Sequence, residues 1–206
     1  MSKEKNIIYL ARFVSLLFTP FYLPLVGLII LFTFSYLALL PISYQLEILC
    51  IVYLFTILLP TYLIHFYRKY QGWTLIELGQ RERRMVPYVL SIACYVSCVV
   101  LLMHLGVFRF VSSIILSALV LQILCAIINI WWKISTHTAA IGGVAGALLA
   151  FSALFAFNPV WWLCLTLIVA GMLGSARMIL RQHSLSQVLG GFGVGFFTAL
   201  IGILYF

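Results

Sequence analysis

Arg177 and His183 stand six residues apart in SARMILRQHSLSQVLGG, residues 175–191, a polar interruption in a chain that is otherwise almost entirely apolar. A charge at the bilayer centre costs roughly 2.5–3.5 kcal/mol on insertion scales, so Arg177, Arg181 and His183 belong at an interface or on a polar cavity. A second polar set, Lys133, Ser135 and His137, lies about forty residues upstream. Together the two sets have the makings of one phosphate site. Phosphoryl transfer needs cations on the equatorial oxygens, an in-line nucleophile and an acid for the leaving oxygen. Arginine grips phosphate through two parallel N–H bonds, so Arg177 and one or more of Arg81, Arg83 and Arg84 form the natural clamp. Ser135 is placed to cap a helix starting near Thr136, where free backbone N–H groups make an anion site, with Lys133 as an added point charge. A neutral imidazole can attack phosphorus and a protonated one can return a proton to the alkoxide; His183 is assigned the first role and His137 the second. This chemistry calls for no metal and no cofactor.

Composition says where such a site would operate. Of 206 residues 65% are hydrophobic and 8% charged, with mean hydropathy +1.20, against about 25% charged in soluble domains. The chain is therefore expected to be an all-α, polytopic membrane bundle. The first apolar segment lacks a small-residue cleavage site with a soluble domain behind it, so it is not read as a removable signal. No aspartate occurs, and the glutamates are Glu4, Glu47, Glu77 and Glu82. That excludes an aspartyl-phosphate mechanism and argues against a two-metal phosphatase, which needs clustered carboxylates. The +8 balance has no basic tail or reading module attached, so nucleic acid is not the expected partner. A phosphorylated membrane lipid is. The cysteines Cys50, Cys94, Cys98, Cys125 and Cys164 lie in apolar runs and read as packing groups without a disulfide framework.

A membrane span takes about 20 apolar residues. Spans are expected at 14–40, 45–67, 88–105, 111–132, 138–157, 160–176 and 185–206, six or seven in all. Pro20 and Pro24 either kink the first or mark an interfacial helix before a shorter span. One long polar connection, residues 68–87, offers Trp73, Leu75, Ile76 and Leu78 to lipid and Arg81, Glu82, Arg83 and Arg84 to water. With no internal repeat, residues 1–206 read as one domain. Counting spans brings the residue 68–87 connection, His137 and His183 to one face, which carries nearly all the lysine and arginine. The positive-inside rule makes that face cytoplasmic.

KISTHTAA, residues 133–140, resembles the PSGH segment of the type 2 phosphatidic acid phosphatase (PAP2) superfamily, and residues 175–191 resemble its SRxxxxxHxxxD segment. The resemblance covers the second half of the chain and points to a divergent bacterial-type member in an inner membrane. It implies a helical membrane phosphatase acting without metal on a lipid phosphate or diphosphate, phosphatidate-like, phosphatidylglycerol-phosphate-like or polyprenyl, through a phosphohistidine. Several positions depart from the pattern. Ile134 and Thr136 replace proline and glycine, Ala176 separates Ser175 from Arg177, and RERRMVP, residues 81–87, stands in for the first motif. Gln187 occupies the place of the aspartate that orients the nucleophile. On a helix it shares a face with His183 and can accept a ring N–H, though without negative charge. Three readings stay open there: weaker turnover, a substitute carboxylate from Glu77 or Glu82, or a non-catalytic binder of phosphorylated lipids. A small anion or lipid transporter is the remaining alternative, and it lacks the matching halves such folds often show.

Overall fold

The computed structural model describes residues 2–34, 36–74, 77, 82–156 and 158–205, and of residues 2–4, 34, 36 and 82 the backbone alone. Among the described residues the chain is all-α, with eight helices. They are α1 (Ser2–Leu17), α2 (Leu23–Phe34), α3 (Ile42–Tyr70), α4 (Met85–His104), α5 (Arg109–Trp131), α6 (Thr136–Phe155), α7 (Val160–Ile179) and α8 (Leu185–Tyr205). The six from α3 to α8 are long and apolar enough to cross a bilayer. Side chains such as Trp161 (84% exposed), Val89, Leu189 and Phe197 stand outward, as expected of an integral, multi-pass membrane protein whose outer solvent is lipid.

The expected first span, 14–40, is instead divided. Pro20 lacks an amide N–H and its ring collides with the carbonyl four residues back, so the helix cannot continue through it. The chain turns there: Thr19 Oγ1 donates to the Leu16 carbonyl at 2.8 Å, and the Tyr22 amide donates to the Thr19 carbonyl at 3.1 Å. Pro24 then falls in the first turn of α2, where no N–H is required. With 12 residues, α2 is ~18 Å long at ~1.5 Å per residue, well short of the ~30 Å hydrocarbon core. The other expected spans agree with the helices to within about a turn. Between α3 and α4 the helix stops at Gly72, φ 68°, with Trp73 N–H returning to the Arg68 carbonyl at 3.1 Å, a glycine stop of the usual C-terminal kind. Leu75, Ile76 and Leu78 to Arg81 lie outside the described residues.

Two apolar cores flank the centre. Leu28 and Phe32 of α2 pack with Ile48 and Val52 of α3, Tyr95 and Leu102 of α4 and Ile115 of α5. Ala11 and Val14 of α1 pack with Ile141 of α6 and with Leu173 and Ala176 of α7. The most extensive helix pairing is that of α6 with α8. A Cβ built on Gly142 would strike the Phe192 carbonyl, one on Gly146 the Phe196 carbonyl, and one on Gly195 the Ala139 carbonyl. The two backbones are in contact because neither carries a side chain there, the small-residue packing available to helices in lipid.

This pairing can be tested by substitution. Gly195→Leu should lower the unfolding temperature in detergent, since overpacking costs about 1–3 kcal/mol and each kcal/mol is worth about 2–4 °C in a chain of this size. Gly171→Ala, where an added Cβ meets nothing within 4 Å, should leave it unchanged or slightly raised.

Candidate active site

Three connections meet at one end of the bundle. The first joins α5 to α6. Its backbone runs extended at Trp132, φ −139° and ψ 126°, and enters α6 through Ser135, whose Oγ accepts the Thr138 N–H at 3.5 Å. Thr138 Oγ1 donates back to the Ser135 carbonyl at 3.1 Å. Ser135 is thus the N-cap of α6, and at 0% exposure its hydroxyl is enclosed, whereas Lys133, Thr136 and His137 line the cavity beside it.

The second connection joins α7 to α8. Arg181 ends α7 in the left-handed region, φ 53°; Arg181 N–H donates to the Met178 carbonyl at 2.9 Å and Gln182 N–H to the Arg177 carbonyl at 3.1 Å. This sharp stop turns His183 inward, where it is 8% exposed. Gln187, one turn into α8, places Oε1 3.1 Å from His183 Nδ1 and 3.2 Å from the Ser184 backbone nitrogen. Ser184 N–H can only donate, so the amide atom facing it is the acceptor oxygen. His183 Nδ1 must then carry the proton, which leaves the lone pair on Nε2, and the residue lines the cavity. Glu77 does not take this place: its carboxylate accepts from Thr74 N–H at 2.8 Å and Thr74 Oγ1 at 2.9 Å and pairs with Arg83 at 3.3 Å.

Backbone contact locks these two connections together. Ser135 N–H donates to the Gln187 carbonyl at 3.4 Å. A Cβ on Gly191 would come within 2.6 Å of the Ser135 carbonyl and 2.7 Å of Thr138 Oγ1; glycine is what lets α8 approach so closely. The third connection supplies Arg84, at the start of α4. Its guanidinium donates to the Ile134 carbonyl at 3.4 Å, to Thr136 Oγ1 at 3.3 Å and to the Tyr88 hydroxyl at 3.3 Å.

The arginines of the residue 81–87 stretch therefore separate. Arg84 reaches the cavity. Arg83 is turned away to Glu77 and stacks over Trp73, 4.6 Å from the ring centre, so the structure does not bring it to the other groups. Arg81 lies outside the described residues. Arg177, near the end of α7, donates from Nη1 to Ser15 Oγ of α1 at 2.7 Å. Its Nε and His137 Nδ1 are enclosed with no hydrogen-bond partner among the described residues, a rare condition for buried polar atoms.

Arg84, Lys133, His137, Arg177 and His183 all face one cavity of about 1620 Å³. Among the described residues no carboxylate pairs with Arg84, Lys133 or Arg177. Burial pushes the Lys133 pKa down, and the charges of Arg84 and Arg177 push the same way. His183 is lowered to about 3, first by burial and then by Arg177 and Arg84, while Gln187 acts weakly in the opposite sense. The imidazole is neutral at physiological pH, and the cavity mouth is a pocket of uncompensated positive charge suited to an anion. Ser15 and Tyr88, which hold Arg177 and Arg84, were not legible as site residues. The only trace in the sequence is a hydroxyl or phenol set singly in an apolar run.

Residues 129–206 match the model of the PAP2 superfamily, as expected of a PAP2 superfamily member, and that superfamily generally comprises phosphatases. The matched segment holds Lys133, Ser135, Thr136, His137, Arg177, His183 and Gln187 but not Arg84. No curated protein and no solved structure matches the chain.

The lowered His183 pKa has a definite sign. Its folded value, about 3, lies below the ~6.5 of an unfolded chain. The stability linked to His183 is therefore fully present above about pH 6.5 and declines as pH falls toward the folded value, because the unfolded chain takes up the proton first. Gln187→Glu should raise the His183 pKa well above 3, read by NMR titration of the imidazole, and should flatten the loss of unfolding temperature between pH 7 and pH 5. An unmoved titration would mean that residue 187 does not face the ring.

Proposed function

We propose that this chain, a single domain over residues 1–206, is a membrane lipid phosphatase that works through a phosphohistidine and needs no metal for the steps below. One observation carries the reading: two imidazoles and three cations from separate connections face one cavity, with one imidazole held in the tautomer that frees Nε2. Arg84, Arg177 and Lys133 hold the phosphate oxygens, and Thr136 lies within reach at the start of α6. The start of α6, where Thr136 and His137 line the cavity, adds its dipole.

Nε2 of His183 attacks phosphorus, and the N–P bond forms as the bond to the lipid oxygen breaks. His137, protonated while the phosphate dianion is bound, gives its proton to the leaving oxygen. Water then attacks the phosphohistidine with His137 accepting its proton, and inorganic phosphate leaves as His183 is restored. Gln187 orients the ring through Nδ1 but offers only a dipole to the positive charge that develops on it. A carboxylate would do more, so turnover is expected to be slower than an aspartate at this position would allow. The same substitution supports a second reading, a binder of phosphorylated lipids that turns them over little or not at all. The site opens on the face rich in lysine and arginine, which we assign to the cytoplasm of an inner membrane.

Phosphate release from a panel of lipid phosphates in EDTA tests activity and metal independence together. His183→Ala should abolish release while the protein keeps its unfolding temperature at pH 7; undiminished turnover would remove the mechanism. Arg84→Ala should lower kcat/KM about 10²-fold or more, the usual effect of losing a charge-stabilising donor, whereas Arg83→Ala should stay within about threefold on the same principle, since Arg83 faces away. Equal losses at the two arginines would contradict the separation seen here.

A further inference from the structure

Arg177 has no carboxylate partner among the described residues, yet α1 brings it another kind of acceptor. Its Nη1 donates to Ser15 Oγ at 2.7 Å, and Ser15 is 7% exposed and lines the cavity. Packing fixes the approach: Val14 and Ala176, the residues just before Ser15 and Arg177, lie in one apolar core with Ala11, Ile141 and Leu173. The main chain of Ser15 makes a second contact. α1 stops at Leu17, and the last carbonyls of a helix lack amide partners within it. The Val14 carbonyl accepts from the Phe18 amide at 3.1 Å and the Leu16 carbonyl from Thr19 Oγ1 at 2.8 Å. Between them, the Ser15 carbonyl accepts a hydrogen bond from the His137 ring. Pro20 forbids α1 from continuing, which leaves this carbonyl open to the site.

A carbonyl only accepts, so the His137 nitrogen facing it carries the hydrogen. Nδ1 is the ring atom without a partner, so the bond is made by Nε2 and the neutral ring keeps its lone pair on Nδ1. That nitrogen is then the one to take up and hand over the proton in the reaction proposed above. The carboxyl end of a helix also carries about half a negative charge, which suits a guanidinium beside it. We infer that Ser15 is a positioning residue, aligning Arg177 through its hydroxyl and His137 through its carbonyl, so that the carboxyl end of α1 stands where a carboxylate would otherwise be needed. The inference rests on the phosphatase reading and adds to it a residue from outside the segment, 129–206, that matches the family. Without the hydroxyl the guanidinium is free to turn, and misorientation weighs most on the transition state, so kcat should move more than KM.

The test uses the full chain in nanodiscs, phosphatidate and a polyprenyl phosphate as substrates, and orthovanadate as a binding probe. Ser15→Ala should lower kcat about tenfold or more and leave KM within about threefold. Ser15→Cys, close to serine in shape but a poor acceptor, should behave alike, and Ser15→Thr, which keeps the hydroxyl, should return to within about threefold of the parent. In an Arg177→Lys background Ser15→Ala should cost less than about threefold more, because the aligned group is already lost. A serine that only packs α1 would give equal losses in both backgrounds, following a fall in unfolding temperature, and that result overturns the inference. So does full activity in Ser15→Ala, and both leave the phosphatase reading intact. Should Ser15→Ala not fold, the contrast of Ser15→Cys with Ser15→Thr decides in the same way. NMR of the imidazole nitrogens should find neutral His137 protonated on Nε2; protonation on Nδ1 overturns the carbonyl contact. If the parent turns over neither lipid, the phosphatase reading fails and orthovanadate decides the positioning. Affinity about fivefold weaker in Ser15→Ala and Ser15→Cys and restored in Ser15→Thr supports it, whereas equal affinity in all, or none in the parent, overturns it.

Discussion

The direct contact of the α6 and α8 backbones is the constraint on which the site depends. Gly142 and Gly146 on one helix and Gly191 and Gly195 on the other leave no side chain between them, so the first turn of α6 lies against the first turn of α8. His137 belongs to the one and His183 to the connection just before the other. In lipid, where apolar surface gains nothing by leaving a solvent equally apolar, such closeness comes from dispersion and from backbone polar groups meeting across the seam. The hydrogen bond from Ser135 N–H to the Gln187 carbonyl is that meeting at the functional end. It ties the backbone before α6 to Gln187, whose side chain meets the His183 ring.

Electrostatics follow from this packing. Helix ends brought together this closely collect Arg84, Lys133 and Arg177 around one cavity, and the Glu77 carboxylate is committed to Thr74 and Arg83. Mutual repulsion of the three cations is a cost that the fold bears; burial first, and then the charges of Arg177 and Arg84, depress protonation of His183. In the proposed reaction a phosphate dianion would neutralise these cations and leave a neutral imidazole facing phosphorus. Gln187 fits this economy in an instructive way: its oxygen is held by Ser184 N–H, which settles the tautomer of His183 without adding charge.

The broken amino-terminal segment matters to the same cavity from the other side. Had residues 14–40 formed one span, α1 and α2 would share an axis. Instead α1 packs on α7, where Ser15 meets Arg177, and α2 packs across α5 and α6 as an inner wall. Partial-length helices are stable at depth only when protein covers them, and α2 is covered by α3 and α5 through Leu28, Phe32 and Val52.

Helix class, the six long apolar spans and the ends of α4 to α8, and the pairing of His137 with His183 on one face were legible in the amino-acid sequence, because hydropathy sets which segments enter a bilayer and alternation sets which ends meet; the division of residues 14–40 was not. Capping by Ser135 and the shared face of His183 and Gln187 were legible too, being consequences of helical geometry within a few residues. The choice of Arg84 over Arg83 was not: adjacent residues differ in direction by about 100° on a helix, and only the position of the Ile134 carbonyl and Thr136 decides which one reaches the cavity. Nor was the Ser15 contact with Arg177, whose partners are 162 positions apart, or the depth of the apolar cavity. Local sequence determines what each segment is; how far a void runs between several helices is set by how all of them pack at once, and no single segment carries that information.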